Sequence, residues 1–183
     1  YYIRSYKLTL EADMKQAKVL TEKELKKVVD YINGMDRHAV RNRTMLLLTH
    51  YCGMRVNEIA NLKKSDVVDN KGNLVDVIYL KATQTKGNDS RRVFVNKKAK
   101  ALLKSYLNAN LSVIRSDYLF TTQKSMQFTA NTLTHLSKGL HEQVGIKHAT
   151  SHSGRRAFIT KLANSGVNVG IIAELASHKS IQT

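Results

Sequence analysis

The chain has 183 residues, of which 42% are hydrophobic, enough to bury a core and fewer than two ordinary domains require. Thirty Lys and Arg against fourteen Asp and Glu leave a formal net charge of +16, which favours a polyanionic partner, nucleic acid first, over an acidic small molecule. A single cysteine, Cys52, excludes an internal disulfide framework and a cysteine-based metal cluster, and the absence of proline excludes proline-rich linkers.

Residues 1–20 mix charge and apolar character without a firm period and read as a strand-like or irregular lead-in, the remnant of a linker. Thr21-Glu22-Lys23-Glu24 is a capping box; Leu25, Val28, Val29 and Ile32 follow at helical spacing until Asn33-Gly34 stops the helix. A second helix is predicted from about Ala39 to Tyr51. Met45 to Leu48 make it apolar nearly all round, the pattern of a buried element. Cys52-Gly53 ends it, Cys52 reading as a small core residue, and Val56, Ile59, Ala60 and Leu62 predict a short helix that places Arg55 at the junction.

Val67-Val68, Leu74 to Leu80 and Arg91 to Val95 read as three strands of a small antiparallel sheet, separated by the Asp69–Asn73 turn and the polar stretch Thr83–Asp89. Asn96 caps a further helix carrying Ala101, Leu103, Tyr106 and Leu107. Beyond Tyr118-Leu119-Phe120, helices are predicted over Asn131–Val144, Ser153–Asn164 and Val169–Leu175. The fold class is therefore mainly α with a small three-stranded antiparallel β-sheet. No apolar run is long enough to span a bilayer and no signal-peptide pattern opens the chain, so a soluble intracellular protein is expected.

Two segments carry chemistry. In Gly53-Met54-Arg55-Val56-Asn57-Glu58-Ile59-Ala60-Asn61-Leu62, Glu58 lies one turn after Arg55 and can hold its guanidinium, although an ordinary surface ion pair has the same spacing. In His152-Ser153-Gly154-Arg155-Arg156, His152 and Arg155 share a helix face; Ala176-Ser177-His178 follows. Arg91-Arg92, Lys63-Lys64 and Lys97-Lys98 read as phosphate-contacting or solvated charges. His38, His50, His135, His141 and His148 match no compact zinc spacing, so no metal site is expected.

Taken in order, the two boxes resemble the catalytic domain of the tyrosine recombinase, or phage integrase, family, over roughly Thr21 to the end of the chain. The resemblance implies site-specific breakage and rejoining of double-stranded DNA through a 3′-phosphotyrosyl intermediate, without a cofactor or metal. It makes Arg55 and Arg155 the arginines that grip the nonbridging oxygens of the scissile phosphate, His152 the residue acting on the proton of the attacking hydroxyl, and His178 a donor to the phosphate. Lys86, in the hairpin between the second and third predicted strands, corresponds to the lysine that protonates the departing 5′ oxygen, with Lys81 the alternative.

Glu58 is supporting. The family's nucleophilic tyrosine lies about nine residues beyond the His178 element. The eight tyrosines here all precede the second box, so residues 21–183 read as a catalytic domain that stops before its nucleophile and lacks the N-terminal DNA-clamping domain. Self-assembly of protomers on DNA as a tetrameric synapse, and a cytoplasmic, nucleoid-associated setting for a bacterial or phage-encoded protein, complete the implied picture. A noncatalytic recombinase-like DNA-binding or accessory protein is the alternative reading.

Overall fold

The computed structural model describes residues 17–85, 89–110 and 116–176. Helix α1 (Glu22–Asn33) opens on the predicted capping box: Glu24 N donates to Thr21 Oγ1 at 3.2 Å and Thr21 N to Glu24 Oε2 at 3.0 Å. Its buried stripe is Leu25, Val28 and Ile32. Ahead of it, Ala17 and Leu20 are buried, and Leu20 joins the core beneath α1.

Helix α2 (Ala39–Cys52) is the central element, with every residue from Thr44 to His50 buried. Each fully buried aliphatic side chain contributes about 1.5–3 kcal/mol, and α2 supplies such residues to both sides. Met45, Leu48 and Cys52 face the main core with Ile59, Leu62, Ile78, Leu103, Tyr106 and Phe120, while Leu46 and Leu47 face a second cluster with α1, Leu140 and Val144. Cys52 is a core residue as expected, and burial pushes its thiol pKa up to about 12.

Short helices α3 (Val56–Ala60) and α4 (Lys64–Val67) lead to strands β1 (Val77–Leu80) and β2 (Arg91–Phe94), paired antiparallel from Val77↔Phe94 to Leu80↔Arg91. The sheet has two strands among the described residues rather than the predicted three. Val67 completes α4, whose start is held by Lys63 N donating to Asp66 Oδ2 at 2.8 Å, so only the Val68↔Leu74 bridge remains of the first predicted strand. The intervening turn is closed by Asp69, whose Oδ1 accepts from Lys71 N and Asn73 N. The local capping interaction won over β propensity in a two-residue valine run.

Helix α5 (Lys97–Asn110) begins where Asn96 Oδ1 accepts from Ala99 N at 2.9 Å. Tyr118-Leu119-Phe120 is pinned by Leu119 N donating to Leu62 O at 2.7 Å. Then come α6 (Ala130–Gln143), α7 (Ser153–Asn164) and α8 (Val169–Ala176). Ile159 of α7 packs with Ile172 and Ala176 of α8.

Helix α7 approaches α2 closely at Gly154. A Cβ there would collide with the Thr49 hydroxyl and lie 3.3 Å from His50 N. The approach needs a residue without a side chain, and the next residue is Arg155. Replacement Gly154→Ala is expected to destabilise the chain by about 1–3 kcal/mol through overpacking. Urea denaturation should show part of that loss recovered by Thr49→Ala in the same background, and no coupling between the two sites would contradict this packing account.

Candidate active site

The site begins with a glycine. Gly53 ends α2 at φ +61°, and a Cβ there would lie 2.5 Å from Phe158 Cδ1 of α7, so both the backbone conformation and the space require glycine. The reversal turns the Gly53 carbonyl towards two later segments and leaves Arg55 immediately before α3.

Arg55 and Glu58 pair as the sequence suggests. Arg55 N donates to Glu58 Oε2 at 2.7 Å and Arg55 Nη1 to Oε1 at 2.9 Å. The Glu58 side chain is wholly buried, whereas that of Arg55 is 24% exposed and reaches the surface. The sequence reading missed the second partner. Arg91, read as a phosphate-contacting or solvated charge, has only 3% of its side chain exposed and donates from Nη1 to Glu58 Oε1 at 2.7 Å and Oε2 at 2.6 Å. The correction has a local signal: Arg91 is an inward position in the alternation of β2, whose buried residues are Arg91 and Val93. Its neighbour Arg92 points outward and pairs with Glu174 of α8 at 2.6 Å.

Arg155, from the first turn of α7, is 4% exposed and donates to Gly53 O at 2.5 Å and, through Nη2, to Ala176 O at the end of α8. Arg91 Nη2 donates to the preceding carbonyl, Leu175 O, at 3.0 Å. His152 is the exposed residue leading into α7; its N donates to Thr150 Oγ1 at 3.1 Å. The Arg55–Glu58 pair and the sequence-distant Arg155 are thus drawn together through the Gly53 turn, Arg91 and the C-terminal end of α8. Lys86 and His178 lie outside the described residues. Lys81 is exposed at the head of a 3-10 turn, its N donating to Gln84 Oε1 at 2.9 Å.

The electrostatics follow from three guanidinium groups around one carboxylate, Arg55 and Arg91 bonded to it and Arg155 held on nearby carbonyls. For Arg155, burial and then the charges of Arg55 and Arg91 push the pKa down to about 9, with Glu58 opposing. Burial works to raise the Glu58 pKa, but Arg91, the Arg55 amide and the Arg55 charge outweigh it and hold the carboxyl below its ordinary value. The cluster carries more positive than negative charge in a water-poor setting, and an oxyanion is the ligand that relieves such an imbalance.

The histidines outside these boxes have other surroundings. His50 and His141 are core residues whose pKa values burial lowers, and His141 Nδ1 lies 2.6 Å from Ser137 O. Among the described residues no three His, Cys, Asp or Glu side chains cluster as metal ligands, and no helix is long and apolar enough to cross a membrane.

A helical domain with a small antiparallel sheet and an arginine cluster built from a helix junction, a strand and a later helix has the catalytic-domain fold of the tyrosine recombinases. Residues 18–183 match the family model described as the phage integrase family, and the chain belongs to that family. It is 30% identical over 169 residues to tyrosine recombinase XerA of Pyrococcus furiosus, an alignment covering 91% of this chain and 55% of the relative. Among solved structures, XerA recombinase superposes with a TM-score of 0.75 at 28% identity, covering 90% of this chain and 57% of that one. The XerH site-specific recombinase bound to its difH substrate in a pre-cleavage complex superposes with a TM-score of 0.70 at 25% identity, covering 91% and 48%. The chain therefore spans little more than half the length of the curated relative.

The depressed Glu58 pKa sets a pH dependence. A carboxyl whose folded-state pKa lies below its unfolded value near 4.5 contributes stability that is fully present above that value and is lost as pH falls through the folded-state pKa. Glu58→Gln is expected to lower stability near neutral pH by about 3–5 kcal/mol, because it leaves buried guanidinium charge unpaired. Urea titrations between about pH 7 and pH 3 should show a shallower acid loss for the variant than for the wild type, and parallel curves would contradict the coupling.

Proposed function

We propose that residues 21–183 are the catalytic domain of a site-specific DNA recombinase that acts by transesterification on double-stranded DNA. The observation that carries this reading is the excess of guanidinium charge around Glu58, where Arg55 reaches the surface from a rigid frame. Family membership supplies the reaction class. The XerH relative, caught with a difH substrate before cleavage, supports a recombination-site substrate for this chain, and the net charge of +16 supports a DNA partner.

In the proposed reaction a tyrosine oxygen attacks the scissile phosphorus, forming a 3′-phosphotyrosyl bond as the bond to the 5′ oxygen breaks. Arg55 and Arg155 hold the nonbridging oxygens, whose charge the planar, multidentate guanidinium matches as it develops. Preorganised donors of this kind contribute about 3–4 kcal/mol each to lowering the barrier. His152 takes the proton of the attacking hydroxyl, Lys86 gives one to the departing 5′ oxygen, and His178 donates to the phosphate.

Glu58 fixes Arg55. The phosphotyrosyl linkage conserves the bond energy, so a 5′ hydroxyl from a partner strand reverses the step without a nucleotide cofactor. Protomers assemble on the DNA as a tetrameric synapse in the cytoplasm. The tyrosine is expected a short way past the His178 element in the intact protein, which sequencing of its C-terminal peptide by tandem mass spectrometry would reveal.

The deciding experiment uses that intact protein with duplex carrying its recombination site. Arg155→Ala should lower covalent adduct formation by about 100-fold or more while leaving duplex affinity nearly unchanged at fixed salt. Equal loss of both would overturn the assigned role. Duplex binding without any adduct in the wild type, or a C-terminal peptide without a tyrosine, would point to the noncatalytic DNA-binding reading.

A further inference from the structure

Arg91 is a buried charged side chain for which the recombinase reading has no task, and its geometry is unlike that of a generic core ion pair. It is buried behind Glu58 with 3% of its side chain exposed, and one terminal nitrogen is committed to both oxygens of that carboxylate. Its two terminal nitrogens serve different parts of the site. Nη1 donates to both oxygens of Glu58, the carboxylate that holds Arg55. Nη2 donates to Leu175 O, the carbonyl next to the one gripped by Arg155, and approaches Gly53 O at 3.4 Å, the carbonyl that Arg155 also uses.

We propose that Arg91 is a positioning residue: one rigid guanidinium sets the Glu58 carboxylate, and hence Arg55, at a fixed place relative to the end of α8, and hence Arg155. The inference rests on the recombinase reading and extends it by adding a residue from β2. A flat fork with donors on both nitrogens can span a carboxylate and a carbonyl at once, whereas a lysine ammonium presents one point. Arg91→Lys keeps the charge and loses the span.

The frame matters because the transferred phosphoryl gains from its donors only when they meet its oxygens together, and misplacement by about 1 Å costs about 100-fold in rate. Arg91 also lies five residues after Lys86, and Leu175 three residues before His178, in the chain. A single side chain of β2 therefore ties the carboxylate that holds Arg55 to the end of α8, where Arg155 is also held.

The test compares wild type, Arg91→Lys, Arg91→Ala and Arg155→Ala in the intact protein, reading adduct formation at saturating duplex, duplex affinity and melting temperature. The result expected for Arg91→Lys is a rate about 10- to 100-fold lower, with duplex affinity and melting little changed. Guanidinium ion at low concentration should restore part of the rate of Arg91→Ala, and methylammonium should not. In the 183-residue chain, Arg91→Lys should shift the arginine Nε–Hε resonances of Arg55 and Arg155 while leaving the core methyl spectrum in place.

A wild-type rate in Arg91→Lys beside an inactive Arg155→Ala would overturn the positioning role and leave the recombinase reading standing. Proportional loss of rate, affinity and melting would reduce Arg91 to an ordinary core ion pair, which also overturns it. Wild-type rates in both Arg91→Lys and Arg155→Ala would sink the site assignment itself. If Arg91→Lys does not fold, Arg91→Gln, which keeps a planar donor without the charge, is judged by the same criteria.

Discussion

The Glu58 carboxylate is the constraint on which this site depends. It is wholly buried, and it is tolerated there because four donor contacts from Arg55 and Arg91 converge on its two oxygens. A lone carboxylate in such surroundings would take up a proton, and a lone guanidinium would pull towards water. Shared between two arginines, the carboxylate holds each of them where neither would stay unaided. That arrangement is expensive in desolvation terms and stabilises the fold less than an apolar cluster of the same volume could. What it presents is an arginine held at the surface by a buried partner.

The remainder of the architecture brings distant segments to that carboxylate. Helix α2 does so by being buried around its circumference, which lets α1, α5, α6 and α7 all pack on it. Two glycines set the distances. Gly53 lets the chain reverse under Phe158, and Gly154 lets α7 lie against Thr49, so the first turn of α7 delivers Arg155 to the Gly53 carbonyl. The charge imbalance that results, three guanidinium groups to one carboxylate, is a stored electrostatic preference for an anion. In the proposed reaction it is the physical link between a basic chain and phosphoryl chemistry.

The helices were legible in the sequence because their signals are local. The capping box at Thr21, the cap at Asn96, the glycine stops at Gly34 and Gly53 and the apolar run of α2 each act within a turn or two of chain. The first predicted strand was misread because two valines carry a weak β preference, while the Asp66 side chain that draws Lys63–Val67 into a helical turn is a specific hydrogen bond. The Arg55–Glu58 pair was visible for the same reason as the caps, since its partners are three residues apart. Arg91 was not. Its partners Glu58 and Leu175 lie 33 and 84 residues away, and Lys and Arg are so frequent in this chain that composition offered no reason to separate it from Arg92.

By itself the sequence determined the helical scaffold, the polyanion-seeking charge and the two ordered boxes that mark the family, because spacing along a helix and net charge are properties of the chain alone. Only the tertiary structure decided which arginines are buried, which carbonyls hold them and that a strand residue completes the cluster. Those outcomes depend on desolvation and on which groups meet across long stretches of chain, and neither quantity exists until the chain has folded.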